Sequence, residues 1–199
     1  REIGFVLAPR INSAGRIGEP TDALQLLLTE DPSEARSLAE KLDTTNQARK
    51  IEDERTLDEA LEILERNYDL DHDRGIVLAC DGWHPGVIGI VATRLVERTQ
   101  RPVLMIALDG ERGRGSGRSI PGFNLFEALE ECSEHLLRFG GHKQAAGMDV
   151  AREALPALRQ AFNSAASKRF GTDKPHSKLL MDSELSLASV NLQLVNWLN

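Results

Sequence analysis

Apolar residues change their rhythm along the chain, from a helical first third to an α/β remainder. The run "IGFVLA" at 3–8 is uninterrupted and contains β-branched and aromatic members. That pattern fits a short buried strand or apolar loop leading into the polar, glycine-containing "PRINSAGRIGEP". Over 22–30, Leu24, Leu27 and Leu28 recur at helical spacing. "DPSE" then offers Asp31 as an N-cap, Pro32 in the first helical position and Glu34 three residues after the cap. Between Ser33 and Asn67 there is neither glycine nor proline, and Ala35, Leu38, Ala39, Leu42, Ile51, Ala60, Leu61 and Leu64 fall mostly three, four or seven apart. One helix of roughly 50 Å, or a pair broken near Asp53 to Thr56, satisfies this pattern at 1.5 Å per residue. The thin apolar stripe and dense charge suit an exposed connector better than a core helix.

From residue 75 the apolar runs shorten and alternate with a helical period. "GIVLAC" (75–80) and "PVLMIAL" (102–108) read as buried strands, with "VIGIVATRLVER" (87–98) between them as a helix. That order predicts a parallel βαβ unit. A loop and strand region, "DGERGRGSGRSIPG", follows. Asn124 opens the next helix, with Glu127 three residues on as its capping partner. After "GGHKQAAGMDV" a further helix is predicted over about 152–168. "GTDKPHSK" reads as a linker, and 179–199 as the front of another unit.

Composition narrows the class. With 41% apolar and 28% charged residues in 199, the chain has the makeup of one large or two small globular domains. A net charge of −7 argues against a protein that coats nucleic acid by overall positive charge. Locally the balance reverses, because Arg94 to Arg118 holds six arginines against Glu97, Asp109 and Glu111. Cys80 and Cys132 are too few for a disulfide framework, which fits a reducing, cytoplasmic setting. There is no membrane-length apolar run and no signal-peptide pattern, so no membrane partner is expected. The chain starts at Arg1 and stops within the helical pattern "LQLVNWLN", as though excised from a longer protein.

Four stretches offer chemistry. "RGRGSGR" (112–118) sets Arg112, Arg114, Ser116 and Arg118 among glycines, a donor mixture able to wrap a phosphate. A solvated basic hairpin loop would have the same composition. "DGWHPGVIG" (81–89) lies after a strand and before a helix, where α/β folds place ligands, so Trp83 and His84 are candidates. A tryptophan packed under a proline turn is the structural alternative. "APRINSAGR" (8–16) brings Arg10, Asn12, Ser13 and Arg16 to a loop suited to an anion. In "RFGGHKQAAGM" (138–148), Gly140 and Gly141 permit positive φ and close approach of an anion to the backbone, with His142 at the mouth. A plain tight turn remains the competing reading. Cys132, His135 and His142 are spaced like metal ligands, but Cys132 shares a helix face with core leucines, so no metal site is expected here. "DHD" at 71–73 reads as a solvated turn, and no Walker loop, H-E-x-x-H or G-x-S-x-G occurs.

Taken in order, "LAPRINSAGRIG", "DGWHPGVIGIVATRL", "GSGRSIPGFNLFEAL" and "RFGGHKQAAGM" resemble the RecJ family of bacterial single-strand-specific exonucleases, in the DHH phosphoesterase superfamily. The resemblance covers about residues 1–168 and extends toward 199. It implies an α/β fold with a small mixed sheet and flanking helices, preceded by long connecting helices and followed by the lead-in to a β-barrel. Its divisions would be 1–21 as the tail of a DHH catalytic domain, 22–74 as connector, 75–170 as the DHH-associated domain, and 171–199 as linker and start of an oligonucleotide-binding-type domain. By the same likeness, Ser116, Arg118 and Arg16 would hold a 5′-phosphate, while Gly140, Gly141 and His142 would face the phosphate under attack, with His142 catalytic. Asn12, His84 and Arg114 are further candidate contacts.

The implied activity is Mn²⁺- or Mg²⁺-dependent 5′-to-3′ hydrolysis of single-stranded DNA in repair and recombination, with a single-strand-binding protein and a recombination helicase as possible partners. The Asp-His-His signature is absent from this sequence. The chain alone is therefore expected to bind substrate phosphate without cutting it and to hold no metal. A non-catalytic nucleic-acid-binding module, or a phosphodiesterase for oligoribonucleotides or cyclic dinucleotides, are the alternatives.

Overall fold

The computed structural model describes residues 2–170 and 181–198, so the expected linker at 171–178 lies outside the described residues. The first apolar run is not a strand. Ile3–Leu7 form a single π-helical turn that passes directly into α1 (Ala8–Ile17), and "PRINSAGR" is helical rather than a loop. A short apolar run carries no period that separates strand from helix, and here Pro9, in the first turn of α1, favours the helix. Ile3 and Phe5 stand 74% and 79% exposed.

α2 (Pro20–Leu28) and α3 (Pro32–Asn67) follow, and α3 is unbroken. Its 36 residues span about 54 Å. Asp31 caps it by accepting from the Ser33 amide at 2.8 Å. Glu34 does not close a capping box. Its carboxylate accepts instead from Gln25 and Thr29, clasping α3 to the end of α2. The helix is also more than an exposed connector. Leu42 joins Ala14 and Ala23 in a small cluster near its start, and Leu57, Ala60 and Leu64 enter the main core near its end. Between these lies a polar seam, where Arg94 of the next helix donates to buried Asp53 at 3.2 Å.

The remainder is a mixed five-stranded sheet, β1 (Ile76–Asp81), β2 (Val103–Asp109), β3 (Arg112–Arg118), β4 (Arg138–Gly141) and β5 (Ala145–Ala151), in the order β1-β2-β3-β5-β4. β1 and β2 pair in parallel across α4 (Ile88–Thr99), as the βαβ reading requires. The other pairs are antiparallel. α5 (Leu125–Glu131) starts at Asn124, whose side chain meets Glu127, and α6 (Leu155–Phe170) closes the core. α7 (Leu192–Leu198) is a short exposed helix. Among the described residues, 181–198 contain no strand, and no helix is long and apolar enough to cross a membrane.

"RGRGSGR" is a strand, not a loop, and it occupies the middle of the sheet. Gly113, Gly115 and Gly117 point to one face, where an added Cβ would press on Ile106, Met148 and Leu104 at 2.5–2.8 Å. α5 and α6 pack on that face, while α4 packs on the other over β2 and part of β3. The second face of the outer strands is left open.

Candidate functional site

The open face is ordered by cross-strand register. Three rows run across β3, β5 and β4: Arg114, Asp149 and Arg138; then Ser116, Gly147 and Gly140; then Arg118 opposite Ala145. Side chains two apart along a strand repeat at roughly 7 Å, which sets the row spacing. In the first row Arg138 donates its Nε to Asp149 at 2.5 Å, while Arg114 is exposed and makes no ion pair among the described residues. The middle row has no side chain beyond the Ser116 hydroxyl.

Arg118 lies at the corner where this face meets the start of α4. Its guanidinium donates to Ser116 Oγ at 3.0 Å and to the Gly117 carbonyl at 2.8 Å. Burial, and then the neighbouring charge of Arg16, lower its pKa from the ordinary arginine value. Arg16 arrives from the end of α1 and donates to the Gly86 carbonyl at 3.2 Å. Two glycines permit this meeting. A Cβ on Gly86 would run into the Arg16 carbonyl group, and one on Gly89 would stand 2.9 Å from both Ser116 Oγ and an Arg118 nitrogen. Among the described residues neither arginine has a carboxylate partner. Two cations and a hydroxyl, one cation half-buried, form a site whose electrostatics favour an anion.

The β4–β5 turn stands beside the same end of β3, pinned by Ser119 N–H to the Gln144 carbonyl and Leu125 N–H to the Lys143 carbonyl, both 2.9 Å. Gly141 has φ +146°, and its Cβ would lie 2.6 Å from Ala146 Cα, so the turn does require glycine there. Gly140 has an open surface, with nothing within 4 Å of where its Cβ would be. His142 is exposed, its Nδ1 accepting from the Gln144 amide at 3.4 Å.

Other candidates separate. His84 is exposed, accepts from the Gly86 amide at 3.0 Å and lies on an open cleft of about 1530 Å³ that also borders Arg114 and Arg138. Trp83 is 3% exposed and donates to Glu59 at 2.8 Å, which makes it a core residue. Arg10 is engaged by Asp43 and Ser13 is buried, leaving Asn12 one helical turn before Arg16 as the other exposed polar group of α1. Asp73 of "DHD" accepts from Asn163 at 2.7 Å and from the Asp69 amide at 2.9 Å, a structural turn. Cys132 is fully buried, its thiol pushed up to about 11 by that burial. Among the described residues no three His, Cys, Asp or Glu side chains gather as a metal site. The residues missed from sequence are Gly86, Gly89, Arg138 and Gly147. Glycine inside "HPGVIGI" was the available signal for the first two, while the others depend on strand register.

Residues 72–168 match the DHHA1 domain family. The chain is 47% identical over 166 residues to the single-stranded-DNA-specific exonuclease RecJ of Bacillus subtilis, covering 82% of this chain and 21% of that protein. The crystal structure of Thermus thermophilus RecJ in complex with Mg²⁺ superposes with a TM-score of 0.76 at 40% identity, over 84% of this chain and 26% of the other. The same exonuclease in complex with Mn²⁺ gives 0.74 at 41%, over 84% and 24%. The chain thus spans about a fifth to a quarter of the length of these relatives. Residues 72–168 are a DHHA1 domain, and the chain that carries them belongs to the RecJ family.

Proposed function

We propose that this chain supplies the substrate-phosphate contacts of a 5′-to-3′ single-stranded-DNA exonuclease and has no hydrolytic activity by itself. The observation that carries this reading is the meeting of Arg16 and half-buried Arg118 beside Ser116, without a carboxylate partner among the described residues. The half-buried Arg118 guanidinium, with no carboxylate partner among the described residues, gains from an external anion, and a terminal phosphate matches the donors of the two arginines. In this reading Gly140 and Gly141 let the next phosphate approach the backbone, and His142 donates toward the oxygens that gain charge during attack. Asn12, His84 and Arg114 flank the path. The exonuclease of Thermus thermophilus is seen in complex with Mg²⁺ or Mn²⁺, and in this reading the part played by this chain is to bind and orient the substrate.

Fluorescence anisotropy with 5′-phosphorylated and 5′-hydroxyl single strands tests the pocket. The phosphorylated strand should bind about tenfold more tightly, and Arg118→Ala should abolish that preference. With about three phosphates neutralised, log affinity should fall with log salt at a slope near −2. Equal affinity for the two ends would overturn the pocket. Nucleotide release by the purified chain in Mn²⁺, with contaminating nuclease excluded, would overturn the inactivity.

A further inference from the structure

Gly147 and Gly140 face one another across β5 and β4, and neither is explained by the fold. Neither has a positive φ, no atom lies within 4 Å of a Cβ on Gly140, and the nearest to one on Gly147 is the Gly115 carbonyl oxygen at 3.9 Å. Glycine in a strand interior weakens it and suits a surface where another backbone comes close. The other strand glycines have reasons of their own: Gly113, Gly115 and Gly117 lie under core side chains, and Gly141 takes a turn conformation. The flat pair floors a depression of about 290 Å³ walled by Arg114 and Arg138.

The geometry points to a second phosphate seat on this face, formed by Arg114 and Arg138 above the Gly140–Gly147 floor and one row beyond it from Arg118. Asp149 takes Arg138 Nε, fixing that fork while leaving its terminal nitrogens available. The row carries two cations and one anion, so it retains a positive charge for a ligand. Row spacing of roughly 7 Å lets successive backbone phosphates meet Arg118, then the glycine floor, then the Arg114–Arg138 row. The seat therefore takes the second internucleotide phosphate, beyond the bond under attack, and measures strand length by charge. It rests on the reading of Arg118 as the 5′-phosphate contact.

The experiment uses a short 5′-phosphorylated deoxythymidine strand and the same strand with an uncharged methylphosphonate at the second internucleotide linkage. The unmodified protein should lose about tenfold in affinity with the neutral linkage. The double variant Arg114→Gln, Arg138→Gln should lose less than about twofold while keeping its preference for a 5′-phosphate. Gly147→Val, which fills the floor from an exposed position, should weaken binding of both strands. A penalty equal in the two proteins, or no penalty in the unmodified one, with the 5′-phosphate preference intact, overturns the second seat alone. Absence of that preference in the unmodified protein overturns the first pocket and this seat together.

Discussion

Gly140 and Gly141 are neighbours with opposite demands on the backbone. Gly141 holds a conformation that side chains rarely adopt, against Ala146, whereas Gly140 is spacious and open. Gly141→Ala should therefore cost about 2 kcal/mol or more in urea unfolding, and Gly140→Ala should stay within about 0.5 kcal/mol of the parent. Cys132 gives a second contrast. Its thiol is raised by burial to about 11 from 9.0, so the unfolded chain loses that proton first. Its contribution to stability is complete below pH 9 and disappears as pH rises through about 11. The alkaline fall in stability should be shallower in Cys132→Ala, and iodoacetamide should label half-buried Cys80 well before Cys132. The local pattern marked the Gly-Gly-His turn and the arginine–glycine stretch 112–118, within which the family resemblance, not composition, singled out Ser116 and Arg118. It was silent on Arg138 and Gly147, because their meeting depends on the pairing of β4 with β5, a contact no local pattern encodes.

Helices and the first βαβ unit were legible because their apolar periods are strong and their caps have the chemistry caps require. α1, β4 and β5 were not, nor were two further segments. "IGFVLA" is too short for its period to separate helix from strand, and β3 hid behind glycine. "RGRGSGR" alternates with period two, the mark of a strand, but glycine stands where an apolar residue would normally face the core. Only the neighbouring Leu104, Ile106 and Met148 side chains explain the substitution of empty space for a side chain. Helix α4 carries a related compromise at Gly89. Gly89→Ala should leave folding stability within about 1 kcal/mol, since better helix propensity offsets crowding. The same methyl group must displace Ser116 Oγ and Arg118, so 5′-phosphate discrimination in anisotropy titrations should fall by about tenfold. Unchanged discrimination would separate Gly89 from the pocket.

At the scale of the molecule, overall charge misleads. The chain carries −7, yet its open sheet face gathers Arg114, Arg138, Arg118 and, from α1, Arg16. In the proposed reading, affinity for a polyanion follows from placement, not from the sum. Placement in turn depends on α3. Arg16 stands at the end of α1, which packs with α3 around Ala14 and Leu42, while Arg118 belongs to the sheet, whose core takes Leu57, Ala60 and Leu64 from the same helix. The span between the two guanidinium groups is thus set by a strut, as the jaws of a caliper are set by its beam. Lys50→Pro, at an exposed position between the two clusters, would remove a helix hydrogen bond and crowd the Asn46 carbonyl, at a cost of about 3 kcal/mol. Hydrogen exchange in β1 and β2 should remain slow while the proposed 5′-phosphate preference is lost. A distant break in the beam would disable a gauge whose jaws are untouched.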